Sequence, residues 1–261
     1  MDVTTIGGIV CAIGLILLGQ RLEGGHVGSI LQATAALIIF GGTAGAVMVA
    51  FPKKDFLRGM KLAGMAFKDK KGPGGLEDMS KQIVELSGIA RRDGVLALES
   101  KLSSVEDPFL RKALQLIVDG VEASVIREVL ETHIDSEFEE NAMGSKVWES
   151  AGGFAPTIGI LGAVLGLIHV MENLNDPSKL GGGIATAFVA TVYGVGSANI
   201  FFLPMANKIK RKLGLEKERK TLIAEGVLAI QEGLNPRVLE ERLAAFMGGH
   251  SAPAAAEKKA A

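Results

Sequence analysis

The chain has 261 residues, of which 48% are hydrophobic and 22% charged, and its formal net charge is −1. A net charge so close to zero gives no overall field that would attract a polyanion, so the sequence predicts no nucleic-acid partner. Charged residues are absent from four long segments and concentrated between them. This distribution predicts an all-α integral membrane protein with four transmembrane helices in a lipid bilayer and a substantial aqueous part.

The first two apolar segments predict a transmembrane hairpin within residues 1–52. Its spans cover about residues 3–20 and 28–51, neither of which contains Asp, Glu, Lys or Arg. Only a few residues separate the two segments, so the helices are expected to run antiparallel. Gly41, Gly42 and Gly45 would give the second helix a face of small residues for close packing.

A polar region at residues 53–149 then predicts a large helical insert between spans 2 and 3. After a glycine- and proline-rich break at residues 70–75, apolar residues recur at helical spacing from Leu76 to Ala90. Asp93-Gly94 predicts a turn, followed by a short helix that ends near Ser103.

Asp107-Pro108 predicts the next helix start, because aspartate caps a helix and proline fits its first turn. From Ser124 the helical pattern continues without proline into the third apolar segment, which predicts one long helix. Its acidic residues Glu137, Glu139 and Glu140 are interpreted as a solvated face.

The remaining apolar segments predict a second membrane pair within residues 150–206, with spans at about residues 151–172 and 184–205. Residues 173–183 are expected to form an external loop made flexible by Gly181-Gly182-Gly183. A helical tail is predicted at residues 207–247, and a low-complexity, disordered carboxyl terminus at residues 248–261.

In the third span, Gly159, Gly162 and Gly166 fall on one side of a helix, and Pro156 removes a backbone hydrogen bond. The pattern fits an ordinary packing face with an incidental kink, and equally a break that serves function. His169 fits either a proton relay or a hydrogen bond between helices.

Hydroxyl groups are frequent in the fourth span, at Thr186, Thr191 and Ser197. They either line a polar path beside the small residues of the third span or bond to carbonyls one turn back. No carboxylate occurs between Ala151 and Met171 or in the other three spans, so a partner would have to supply one if the path conducts ions. The sequence shows no metal-ligand spacing and no nucleophile in a recognisable context, which predicts neither an enzyme nor a bound cofactor.

Basic residues flank the second and fourth spans on one side, as Lys53, Lys54, Arg58 and Lys61, and as Lys208, Lys210, Arg211 and Lys212. The turns after the first and third spans carry only Arg21 and Lys179. This asymmetry predicts that both termini and the insert are cytoplasmic.

Two motifs carry a family resemblance. Residues 155–166 match A-P-T-x-G-I-L-G-x-x-x-G, and residues 90–99 match A-R-R-x-G-x-L-A-L-E. With Tyr193-Gly194 and Pro204, the chain resembles the MotA/PomA flagellar stator family of the MotA/TolQ/ExbB superfamily over essentially residues 1–247.

The resemblance implies a homo-pentamer in the bacterial inner membrane that surrounds a dimer of a single-span, peptidoglycan-binding, MotB-like partner. That partner would carry the membrane aspartate, and ion flow past it would turn the ring against the rotor protein FliG. Pro156 and Pro204 match the prolines of conformational coupling. Arg91 and Glu99, with Arg92 beside them, match the charges that contact the rotor.

For the ion pathway, Thr191 matches the pore threonine of the family, and Pro156, Gly159 and Thr186 are expected to line the same path. Ala163 stands where sodium-driven members carry a threonine, which favours protons over sodium as the transported ion. Two alternatives remain open. One is the ExbB/TolQ branch, which energises outer-membrane processes and has three spans. The other is a non-conducting membrane scaffold.

Overall fold

A computed structural model describes residues 2–67 and 75–248, which contain helices and turns but no strand. The break predicted at residues 70–75 lies outside these ranges except for Gly75. The terminus predicted at residues 248–261 lies outside them except for Gly248. The chain divides into two compact units. The membrane unit is Met1–Asp69 with Glu139–Leu213, and the insert unit is Lys70–Phe138 with Gly214–Ala261.

Within the described residues, four helices are long and apolar enough to cross a membrane, which confirms the all-α fold with four membrane spans. The first span is Val3–Leu22 and is capped by Asp2, whose carboxylate accepts from the Thr5 N–H at 3.3 Å. The second span is irregular. Its parts are a 3₁₀ turn Val27–Ile30, a helical turn Ala33–Ala36, a π-helical turn Leu37–Gly41 and the α-helix Gly42–Ala50. The helix Lys53–Phe67 follows.

A side chain from the fourth span bridges the break in the second. The Tyr193 hydroxyl donates to the Ile30 carbonyl at 2.7 Å and accepts from the Gln32 N–H at 3.3 Å. Lipid offers no hydrogen bonds, so a break at membrane depth persists only where protein satisfies its backbone groups. Tyr193 therefore permits an interruption that the sequence analysis did not predict.

The third span is the end of one helix, Ala123–Glu172, which confirms the long helix predicted from Ser124 onward. At 50 residues it is about 75 Å long. Helical structure continues through Pro156, although this proline cannot donate to the carbonyl of Gly152.

The fourth span begins earlier than predicted, so the prediction of a flexible loop that extends to Gly183 is wrong. Its helix is Pro177–Ser197, capped by Asp176, whose side chain accepts from the Ser178 N–H at 3.2 Å. Asp176-Pro177 is the same start signal as Asp107-Pro108. Gly183 serves packing instead of flexibility, because a Cβ there would lie 2.6 Å from Cγ2 of Val170.

A π-helical turn, Ala198–Phe202, joins the fourth span to the helix Leu203–Gln231. The predicted tail helix is thus continuous with the span. Pro204 stands in the first turn of this second helix, where it cannot donate to the carbonyl of Ile200. The last helix is Pro236–Gly248, as Asn235-Pro236 suggests.

The insert unit packs short helices around one apolar core. Besides the ends of the two long helices, it contains Leu76–Asp93, the 3₁₀ turn Val95–Leu98, Glu99–Leu102, Pro108–Val118 and Pro236–Gly248. Met79, Ile83 and Leu86 are buried in the core, which confirms the helical pattern predicted for this segment.

The predicted solvated face is confirmed for Glu139 and Glu140, which are exposed, whereas Glu137 is half-buried. Glu137 and Glu140 are also ion-paired. In the insert unit, Glu137 accepts from Lys220 at 2.6 Å. In the membrane unit, Glu140 accepts from Lys54 at 3.3 Å and also from Arg58. These basic residues come from distant parts of the sequence, so no local sequence pattern predicts the ion pairs.

Asp107 caps the helix Pro108–Val118 and is almost fully buried. Its Oδ1 accepts from the N–H groups of Phe109 and Leu110, each at 2.9 Å, and its Oδ2 accepts from Arg219. Burial alone would raise the pKa of Asp107, but the Leu110 N–H and the Arg219 guanidinium outweigh it and hold the pKa below its usual range.

Asp107→Ala is expected to destabilise the insert unit by about 2–4 kcal/mol, because it removes a cap and leaves Arg219 partly buried without its carboxylate. The lowered pKa of Asp107 means that its stabilisation is present above the unfolded-state pKa and lost as the pH falls through the folded-state value. Thermal melting of the solubilised chain, from neutral pH to about pH 3, measures both effects. The exposed neighbour Glu106→Ala is the control, and equal melting temperatures for the two variants would contradict the assignment.

Candidate functional site

The third and fourth spans are joined by small residues, here called the glycine interface: Gly159, Gly162 and Gly166 against Gly183, Ala187, Ala190 and Gly194. A Cβ on Gly166 would lie 2.8 Å from the Ala187 nitrogen, and one on Gly194 would lie 2.6 Å from the Ala155 carbonyl oxygen. Backbone lies directly against backbone at both positions. The glycines of the third span are therefore a close-packing face, as their spacing predicted.

Close packing leaves no room for an ion path through the glycine interface. Gly159 is buried there, with the position of an added Cβ 3.2 Å from both the Ala190 oxygen and the Gly194 Cα. An ion that passes this chain must therefore use a surface outside the interface.

The hydroxyl groups of Thr186, Thr191 and Ser197 in the fourth span bond to carbonyls of their own helix. Thr191 donates to Ala187 at 3.3 Å, Thr186 to Gly182 at 2.9 Å, and Ser197 to Gly194 at 3.3 Å. Of the two alternatives for these residues, the structure shows the bond one turn back. Their oxygens keep a free lone pair, so a hydroxyl can still accept or coordinate while it donates.

Pro156, Ala163 and Thr191 are each partly exposed, whereas Gly159 is buried. Thr186 is partly exposed as well, so the structure leaves four of the five predicted pathway residues on the surface of the third and fourth spans. Their roles in ion passage stay predictions. Within residues 2–67 and 75–248, no group of three or more His, Cys, Asp or Glu residues could hold a metal ion.

A polar cluster that the sequence analysis missed lies at one end of the membrane unit. Asp2 is almost fully buried, and its Oδ2 lies 2.6 Å from Nζ of Lys208 and 3.0 Å from Nζ of Lys212. Hydrogen bonding to Lys208 holds the pKa of Asp2 well below its usual range. Lys208 also lines a cavity of about 360 Å³ beside Pro204. The cluster thus ties the start of the first span to the helix that carries Pro204.

The predicted rotor-contact residues share one corner of the insert unit. Arg91 and Arg92 end the helix Leu76–Asp93, Gly94 turns the chain with a φ of +84°, and Glu99 follows the 3₁₀ turn. All three charged residues are exposed. Leu98 is fully buried and anchors the corner, while Leu96 is 69% exposed between the charges. The sequence analysis did not single out Leu96, because an apolar residue in a helical pattern is normally assigned to the core.

These features define a class: a helical membrane protein with four spans, an insert that presents a charged corner, and a glycine-packed pair of spans. That pair has no carboxylate between Ala151 and Met171 or between Pro177 and Ser197. Two family profiles match the sequence, the Motility protein A N-terminal domain at residues 6–92 and the MotA/TolQ/ExbB proton channel family at residues 101–221. The chain belongs to the MotA/TolQ/ExbB proton channel family, which confirms the resemblance inferred from its motifs.

Similar proteins match almost the whole chain. Motility protein A of Bacillus subtilis (strain 168) is 35% identical over 247 residues, which cover 95% of this chain and 91% of that protein. A structure of C. jejuni MotAB superposes with a TM-score of 0.89 at 34% identity, over 94% of this chain and 96% of that one. A structure of the flagellar MotAB stator complex from Bacillus subtilis superposes with a TM-score of 0.88 at 34% identity, over 95% of this chain and 97% of that one.

Proposed function

We propose that this chain is a flagellar motor stator subunit of the bacterial inner membrane, which forms an ion channel with a MotB-like partner and converts ion flow into torque. The likeness to the MotAB stator structures over nearly the whole chain carries this proposal. A bacterium that lacks its own stator should swim when it receives this chain together with the partner. It should not swim with either protein alone.

The composition of the spans supports a partner that supplies the ion-binding carboxylate. No Asp or Glu occurs between Ala151 and Met171, and none between Pro177 and Ser197. A proton pathway through a membrane needs ionisable groups that accept and release the proton. Because the glycine interface is closed, the path would lie where the partner's helix faces Pro156, Ala163 and Thr191.

Self-assembly into a pentamer and contact with FliG complete the proposal. Several large apolar side chains of the spans are exposed in the single chain, among them Val3, Val49 and Phe188. Neighbouring copies, the partner and lipid would cover them. The charged corner of Arg91, Arg92 and Glu99 would contact FliG, and Pro156 and Pro204 would couple ion binding to movement of that corner.

A proton is the transported ion that the sequence favours. Sodium must exchange hydration water for hard oxygen ligands, and the Ala163 side chain offers none. We expect swimming speed to follow the proton gradient, to collapse with a protonophore, and to be unchanged when sodium is replaced by potassium. Speed that scales with external sodium and survives the protonophore at fixed membrane potential would contradict this.

The basic residues that flank the spans predict cytoplasmic termini and a cytoplasmic insert. In a background with Cys11→Ser, cysteines at Ser100 and Ser178 test this on intact cells with a membrane-impermeant thiol reagent. Both positions are exposed. We expect labelling of the Ser178→Cys variant only, and the reverse pattern would overturn the orientation.

Of the alternatives, the ExbB/TolQ branch has three spans, whereas the described part of this chain has four helices that are long and apolar enough to cross a membrane. The match to the Motility protein A N-terminal profile also favours the stator assignment. A non-conducting scaffold differs from a stator in one measurable property, since it would carry no ion current with the partner.

A further inference from the structure

A cavity of about 660 Å³ lies where the start of the second span meets the end of the third and the start of the fourth. Its lining includes the polar side chains of Gln32, Thr34, His169, Ser178 and Thr186. Gly166 and Gly183, which close the end of the glycine interface, also line it.

The size and the lining of this cavity favour a filling of water. Gln32, Thr34 and Ser178, which carry amide or hydroxyl groups, are among its lining residues. A cavity of this size with several polar partners in its walls has room for many water molecules.

Among the described residues that line the cavity, His169 is the only one with an ionisable side chain. It is 60% exposed, and its Nδ1 lies 3.9 Å from the carboxylate of Glu172, one turn further along the helix. Among the described residues, His169 and Glu172 are the ionisable side chains that lie close together at this end of the third span. An imidazole ring can accept a proton on one nitrogen and release it again, which is the chemistry that a proton relay needs.

We propose that this cavity is the water-filled outer mouth of the proton path and that His169 is its relay. The inference rests on the proposed function and the orientation given above. External water protonates the imidazole, which carries the positive charge beside Glu172. The imidazole then releases the proton to cavity water, from which the partner's carboxylate takes it, and His169 returns to its neutral form.

Hydration of the cavity is tested first, because the test needs no ion current. Thr34→Cys places a thiol in the lining, whereas Leu37→Cys places one a turn further along the same span, outside the cavity and 76% exposed. In the complex with Cys11→Ser, we expect an impermeant thiol reagent to label the cysteine at Thr34 at least about tenfold faster, because thiols react as thiolates in water. Equal labelling rates for the two variants would overturn the proposal that the mouth is filled with water.

The relay is tested by proton current at different external pH values. We expect His169→Ala to lower the current roughly threefold or more at about pH 8, where protons are scarce, and less at about pH 6. His26→Ala, an exposed histidine outside the cavity, is the control and should not change the current. An unchanged current in His169→Ala, or an equal loss in both variants, would overturn the relay. Absence of current in the native complex would refute the proposed function instead, and the relay with it.

Discussion

Gly194→Ala should prevent stable assembly of the membrane unit and abolish swimming. An added methyl group would lie 2.6 Å from the Ala155 oxygen and 3.0 Å from the Gly159 Cα. Both atoms belong to the backbone of the third span, so no side chain can rotate away. Overpacking of a rigid contact costs about 1–3 kcal/mol, and separation of the two helices would also remove the neighbouring contacts.

Gly196→Ala is the matched control for this variant. Gly196 lies two residues along the same span, and an added Cβ would meet no atom within 4 Å. The amount of protein in the membrane, the melting temperature of the solubilised complex and the swimming speed are compared. If both variants assemble and melt alike, the glycine interface is not closely packed.

Reversal of both charges at the corner, by Arg91→Glu with Glu99→Arg, should abolish swimming while the protein still accumulates in the membrane. Contacts between exposed charges are individually worth about 1 kcal/mol or less, so single neutralisations should reduce torque only in part. The two reversals would replace attraction by repulsion at both contacts with FliG. Compensating reversals in FliG should restore rotation.

The control for the reversal is Arg237→Glu with Glu241→Arg, a pair 3.9 Å apart in the same unit but on the last helix. This exchange also keeps the net charge, and it should leave swimming unchanged. Normal swimming of the Arg91 and Glu99 double variant would show that these residues are only solvated charges.

Local signals allowed much of the fold to be predicted. The uncharged segments identified the spans, and the helical spacing from Leu76 to Ala90 identified a core helix. Asp107-Pro108 starts a helix as expected, and the equivalent Asp176-Pro177 was overlooked because three consecutive glycines follow closely. Gly183 shows why such a cluster does not always indicate flexibility.

Contacts between distant residues could not be predicted. Tyr193 holds the break before Gln32, and Lys208 reaches Asp2 across some two hundred positions of sequence. Periodicity reports only on neighbours along one helix. For the same reason, the spacing of Gly159, Gly162 and Gly166 indicated a packing face without indicating that it would be closed to ions.

The central claim is that this chain conducts protons only with a partner that supplies the carboxylate. The direct measurement is proton uptake by vesicles that contain the chain with its MotB-like partner, driven by an imposed membrane potential. The account predicts uptake with the native partner, and none with a partner whose membrane aspartate is changed to asparagine or with this chain alone. Equal uptake in all three preparations, or none in any of them, would contradict it.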